Sequence, residues 1–287
     1  MKKLTTLALA VTGALLAGGA QSAPKGEVLV LLSSEHQLPL QNGEHYATGY
    51  YLNEFGVPAD QLLKAGYRLV LVTPKGNAPR VDPRSVDPQY FAGDATEMRR
   101  IEQVVQGLPD IGDTLSVKEV LAGDLDRYAG LFIPGGHAPL IDLANNSDVG
   151  TLLRHFHQAG KPTAAICHGP IALLSAQQDT VGYQAALARG ERAAARDWVY
   201  QGYKMTIFSD PEEQVFERSL KDQRLLFYPA NAMAMAGGHM GYAKAWQPNV
   251  VVDRELITGQ NPFSDKALAK ALLEKLDERA SLTAETN

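Results

Sequence analysis

The sequence of 287 residues holds a single cysteine, Cys167, so no intramolecular disulfide can staple the fold. Its seven histidines are scattered, with no cysteine partners and no HExxH spacing, which argues against a zinc centre. No metal and no cofactor is expected. Basic residues are in deficit: Lys and Arg number 27 against 32 Asp and Glu, for a net charge of −5. The two signs are interspersed, so there is neither a stripe for nucleic acid nor a basic face for a membrane surface. Beyond the N-terminus, no run is long and apolar enough to span a bilayer.

The N-terminus itself is different. Met1-Lys2-Lys3 is a basic start, Leu4 to Leu16 is an apolar run, and Ala17 to Ala23 is small and polar. The pattern is that of a secretory signal peptide over residues 1–23, cleaved between Ala20 and Ala23. The run is short for a membrane anchor, which needs roughly 20 residues. The expectation is an exported protein, periplasmic or secreted, whose residues 24–287 form one α/β domain. An unpaired thiol in an oxidising compartment is either buried or used.

Strands are expected at Glu27–Ser33, Arg68–Thr73, Gly130–Pro134, Pro162–Ile166 and Lys204–Phe208. Asn249–Asp253 and Glu255–Thr258 read as an antiparallel hairpin. Helices are expected at Thr48–Lys64, Asp94–Gln106, Ser147–Gly160 with Ser147 as N-cap, Tyr183–Arg196 and Phe263–Arg279. Ser34–His45 reads as a polar loop and Ala280–Asn287 as a frayed tail. Alternation of strand and helix implies a mainly parallel sheet with helices on both faces. Ligands of such sheets sit at the carboxyl ends of the strands. Cys167, Gly135-Gly136 and Ser209–Glu213 each come just after a strand, so they can share one crevice.

The stretch Thr163 to Pro170 organises the chain. An apolar strand runs into Cys167-His168-Gly169-Pro170, and a helix-like segment, Ile171–Ala176, comes next. Strand, sharp turn and helix make a nucleophile elbow. A helix starting just after Cys167 would favour the thiolate, the reactive form, at an exposed sulfur. The paired glycines Gly135 and Gly136 allow close backbone approach to a ligand, with N–H groups able to hold an oxyanion. Spacing alone makes Glu54 a solvated helix glutamate, although Tyr50, Tyr51, Leu52 and Phe55 surround it with apolar bulk. The bland role for Glu212 and Glu213 is capping the helix that starts at Pro211.

These residues resemble the signature of the ThiJ/PfpI superfamily. Ala164 to Pro170 resembles its cysteine motif, Ile133 to His137 its PGGH strand end, Lys204 to Glu213 its KxTxFSxxEE segment, and Leu256 to Pro262 its LITGQNP segment. Gly49 to Glu54 is similar to the segment that supplies a carboxyl beside the cysteine. One departure is Ala138, where many relatives have glycine. The resemblance implies a flavodoxin-like three-layer sandwich. It implies Cys167 as nucleophile, His168 as its partner, Glu213 as the acid orienting that histidine (Glu212 being the rival) and Glu54 as the carboxyl touching the thiol. It implies an oxyanion hole from the N–H groups of Gly136 and His168, and substrate contacts from Gly135 and His137. The branch resembled is that of glyoxalase III and the heat-shock chaperones. It implies a small aldehyde substrate, a 2-oxoaldehyde such as methylglyoxal, turned into a 2-hydroxy acid such as D-lactate without glutathione or metal. Relatives form dimers, so a homodimer is the expected assembly. The alternatives are a cysteine peptidase or amidase, which would use the same side chains, and a stress chaperone or redox sensor without turnover.

Overall fold

The computed structural model describes residues 24–221 and 223–285; the signal peptide read at residues 1–23 lies outside them. Eleven strands occur among the described residues: β1 Gly26–Leu31, β2 Gln37–Pro39, β3 His45–Ala47, β4 Tyr67–Thr73, β5 Leu115–Ser116, β6 Tyr128–Ile133, β7 Thr163–Ile166, β8 Lys204–Met205, β9 His239–Met240, β10 Val250–Asp253 and β11 Leu256–Gly259. Seven of them form the central sheet, in the order β10-β11-β7-β6-β1-β4-β5. Every pairing in it is parallel except that of β10 with β11. β2–β3 and β8–β9 are separate two-stranded ribbons.

The strands are Val- and Leu-rich because both sheet faces are covered. Successive side chains point to opposite faces, and the core divides accordingly. Leu29, Leu31, Val70, Val72, Leu131 and Ile133 face one side, where they join Val149, Leu152, Leu153 and Phe156 of the Ser147–Gln158 helix. Val28, Val30, Leu69, Leu71 and Phe132 face the other side. There they meet the helices Leu52–Lys64, Ala95–Gln106 and Asp265–Glu285 through Phe55, Leu62, Ile101, Leu268 and Leu272. The result is the expected α/β sandwich of three layers.

Several boundaries differ from the sequence reading, each for a local reason. The first helix begins at Leu52 rather than Thr48, because the Tyr50 N–H donates to the Arg80 carbonyl (2.8 Å) and the Asp82 N–H to the Tyr50 carbonyl (2.8 Å), holding that stretch extended. Asn146, not Ser147, caps its helix; its side chain accepts from the N–H groups of Asp148 and Val149. The helix expected at Tyr183–Arg196 is Thr180–Ala188, ended by Gly190 in the left-handed region at φ 71°. Only Lys204–Met205 of the strand expected at Lys204–Phe208 is paired as a strand; the Thr206 N–H donates instead to the Thr258 hydroxyl (2.9 Å). The loop at Ser34–His45 contributes to the β2–β3 ribbon. The tail expected to fray continues the last helix to Glu285, since no Gly or Pro interrupts it after Asp265.

The segment after Cys167 is held against the Ser147–Gln158 helix by one close approach. A methyl group on Gly150 would fall 2.0 Å from the Ser175 carbonyl oxygen. Gly150→Ala should gain about 1 kcal/mol of helix propensity but lose more to this backbone clash. We expect a net destabilisation of roughly 2 kcal/mol, read as a lowered urea midpoint with an unchanged slope.

Candidate active site

Cys167 stands immediately after β7 with φ 58°, a left-handed conformation unusual for a residue with a side chain. Two backbone hydrogen bonds hold it: its N–H donates to the Gly259 carbonyl (2.8 Å), and its carbonyl accepts from the Phe208 N–H (3.0 Å). The elbow read in the sequence is therefore present. The segment after it, Gly169–Ala176, is a 3-10 helix and not an α-helix, with His168 at its N-cap. Its first residue, Gly169, packs on the Ile133 carbonyl, where a methyl group would fall at 2.4 Å.

The backbone reversal brings the next residue's ring back over the sulfur. His168 Nδ1 lies 3.3 Å from Cys167 Sγ, and Nε2 lies 2.6 Å from Glu213 Oε1. Cys167, His168 and Glu213 thus form one hydrogen-bonded chain, buried to 3, 1 and 0 % exposure. The second oxygen of Glu213 meets His137 Nε2 at 3.3 Å, so two imidazoles share one carboxylate. Their rings stand 4.0 Å apart, and His137 stacks on Phe216 at 3.9 Å. Burial would raise the Glu213 carboxyl, but the two imidazoles outweigh it and pull it down to about 2. Burial, and then the neighbouring imidazole, push His168 down to about 4 against the pull of Glu213. At neutral pH Glu213 is the ionised member.

Glu54 is not solvated, contrary to the reading from spacing. It is fully buried, as are nearly all residues of the first three turns of its helix, which lies between the Ala95–Gln106 and Asp265–Glu285 helices. A helix covered all round has no wet face for spacing to reveal. Burial pushes the Glu54 carboxyl up to about 8, against the pull of the nearby Cys167 thiol and Gly136 N–H, and neither of its oxygens has a hydrogen-bond partner among the described residues. The thiol is likewise pushed up, first by burial and then by the Glu54 charge, rather than lowered by a helix dipole. The sulfur expected to be ionised and exposed is instead buried beside a carboxyl that competes for the same proton. While Glu54 holds that proton, its own charge no longer opposes a thiolate, and the neutral carboxyl can donate to it.

The paired glycines do different work. Gly136, at φ 85°, lies beside the Cys167–Glu54 pair, where its N–H favours the charged form of both groups, and a methyl group on it would lie 2.0 Å from the Gly49 carbonyl. Gly135 packs between Glu54 Oε2 and the Cys167 β-carbon, at 2.4 and 2.7 Å from where its own β-carbon would stand. It makes room behind the sulfur. His137 does line the cavity, but its Nε2 is committed to Glu213.

Of the two neighbouring glutamates, Glu212 takes the capping role, accepting from the Ser209 N–H (3.0 Å) and hydroxyl (2.6 Å). It also accepts from the Trp246 N–H (2.7 Å), Asn261 Nδ2 (2.9 Å) and Gln260 Nε2 (3.1 Å). The Gly259–Pro262 turn and the loop carrying Trp246 are tied to the triad helix through this one carboxylate. Sequence reasoning missed this network, although a Gln-Asn pair beside a strand end was a visible signal. It also missed the cavity wall. The cavity, of about 420 Å³, opens above Cys167 and His168 between Tyr51, Tyr90, Phe208, Trp246 and Phe263, with Arg84 on its wall. These come from separate loops, and no local pattern joins them. Among the described residues, His137, His168 and Glu213 are also the one group close enough to share a metal ion.

A doubly wound sheet with a strained cysteine at the end of a central strand, backed by histidine and glutamate, defines an α/β protein with a candidate cysteine site. The chain belongs to the DJ-1/PfpI family, whose model matches residues 46–275. It is 25% identical over 260 residues to the protein/nucleic acid deglycase HchA of Staphylococcus aureus (strain bovine RF122 / ET3-1), covering 90% of this chain and 82% of that one. Its fold is similar to that of glyoxalase III from Candida albicans, with a TM-score of 0.67 at 21% identity over 87% of this chain and 97% of that one. It is also similar to the Francisella tularensis Rapid Encystment Protein 24 KDa, with a TM-score of 0.65 at 23% identity over 88% and 99%.

The buried carboxyls can be tested through stability. Glu212→Ala strands several buried donors and should cost about 2–4 kcal/mol, measured by denaturant melts. Glu54 binds its proton more tightly folded, about 8, than unfolded, 4.5, so its contribution to stability is lost as pH rises between those values. Glu54→Gln should therefore lose less stability than the native chain between about pH 6 and about pH 8.5, by roughly 1 kcal/mol or more. Equal losses in paired urea melts would contradict the raised carboxyl.

Proposed function

We propose that the protein is a cofactor-independent cysteine enzyme that converts 2-oxoaldehydes, methylglyoxal among them, to 2-hydroxy acids. The observation that carries this reading is the Cys167–His168–Glu213 chain with the protonatable Glu54 on the other side of the sulfur. The Staphylococcus relatives named deglycases support a role on reactive carbonyl compounds, the glyoxalase III-like branch that the motifs resemble.

The groups suit the chemistry. The Cys167 sulfur adds to the aldehyde carbon, forming a C–S bond, while the thiol proton passes to a neighbouring base. The oxyanion so formed lies near the Gly136 N–H, and such a main-chain donor is commonly worth about 3–4 kcal/mol. His168 or Glu54 then moves a proton from the former aldehyde carbon to the adjacent carbon through an enediol. Water cleaves the resulting thioester, releasing the 2-hydroxy acid and restoring the thiol. The sequence Cys–His–Glu also serves a peptidase or amidase. The protonated carboxyl against the sulfur favours the carbonyl reading, because it supplies the second proton-transfer group that isomerisation needs and simple acyl transfer does not.

Cys167→Ala should abolish methylglyoxal turnover, by at least about a thousandfold, with the fold intact by circular dichroism. The check is a panel of 2-oxoaldehydes and peptide or amide substrates offered to the full chain and the variant. Consumption of the peptides alone, or of aldehyde by Cys167→Ala at the native rate, would sink the proposal.

A further inference from the structure

The cavity is larger than methylglyoxal requires. A space of about 420 Å³ lies in the range of pockets that enclose ligands many times the size of a three-carbon aldehyde. Two groups of aromatic rings line it. Tyr51, Tyr90 and Phe263 adjoin one another, with ring centroids 5.3 and 6.0 Å apart in turn. Phe208 and Trp246, which also line it, meet edge to face at 5.6 Å. Such walls accept a flat apolar body.

One wall carries charge. Arg84 is the only Lys or Arg among the described residues lining the cavity, and no Asp or Glu lines it. The guanidinium lies over the rings of Tyr46 (5.1 Å) and Phe216 (5.5 Å) and donates from Nη1 to the Ser219 hydroxyl (2.5 Å). Among the described residues it forms no ion pair. Phe216 in turn stacks on His137, and His137 on His168. Arg84 is thus held by a continuous column of rings that ends at the catalytic chain. A planar fork with donors to spare, exposed at the rim of an aromatic wall, matches a carboxylate.

We infer that the preferred substrate is a carbonyl compound whose flat, apolar body ends in a carboxylate, with the body between the aromatic walls and the carboxylate on Arg84. The carbonyl rests on the function proposed above; the body and the anionic end rest on the cavity alone. A neutral three-carbon aldehyde would leave both features unused.

Binding and turnover are measured separately. Calorimetry with the full chain measures binding of 2-naphthoate and of 2-naphthamide, its neutral counterpart, neither of which requires turnover. The acid should bind about tenfold or more tightly than the amide. Arg84→Gln should bring that ratio close to one, and Arg84→Lys should restore part of it. Equal affinities in the native chain, binding of neither compound, or a ratio that survives Arg84→Gln would overturn the inference. Methylglyoxal turnover by the native chain is read alongside. If it is absent while the acid is still preferred through Arg84, the enzymatic reading fails and the pocket's preference stands.

Discussion

The site depends on two backbone hydrogen bonds. Cys167 is held at φ 58° because its N–H is taken by Gly259 of β11 and its carbonyl by Phe208. A left-handed residue with a side chain costs of order 1–3 kcal/mol, and it persists only where neighbours leave it no other conformation. β11 lies beside β7 in the sheet, so the central layer supplies one of the two restraints. The other comes from Phe208, in the short segment leading to the Glu213 helix. The same restraints that strain the cysteine also bring the acid to its histidine.

Burial then sorts the carboxyls. Glu54 and Glu213 are both fully enclosed, yet they shift in opposite directions. Glu213 faces two imidazoles, which stabilise its charge. Glu54 faces a thiol and one N–H, which do not offset the loss of solvent. One site therefore holds an ionised carboxylate behind the histidine and a proton-retaining carboxyl behind the sulfur. Glu212 serves neither: its oxygens are consumed in capping its own helix and in joining two loops to it.

Much of the architecture was readable in the chain. Runs such as Val28–Leu31 and Leu131–Ile133 are apolar on both faces, and only a covered parallel sheet needs that. The elbow was readable because small residues flank Cys167, and the motifs shared with the ThiJ/PfpI superfamily pointed to His168, Glu213 and Glu54. Glu54 shows where residue pattern failed by itself. Its helix is buried on every side, so periodicity carried no information about which way the carboxyl points. The protonation of Cys167 failed for a related reason. A dipole argument looks along the chain, whereas the dominant influences on the sulfur are solvent exclusion and a carboxyl far away in sequence.

The order of strands and helices, the position of Cys167 at a strand end and the segments that meet there were set by local pattern, since hydrophobic period and turn chemistry act over a few residues. Which oxygen of Glu213 meets which imidazole, which glutamate caps and which orients, and what lines the cavity were decided only by tertiary packing. Those outcomes depend on distances between residues tens to hundreds of positions apart, and no local preference encodes such a distance.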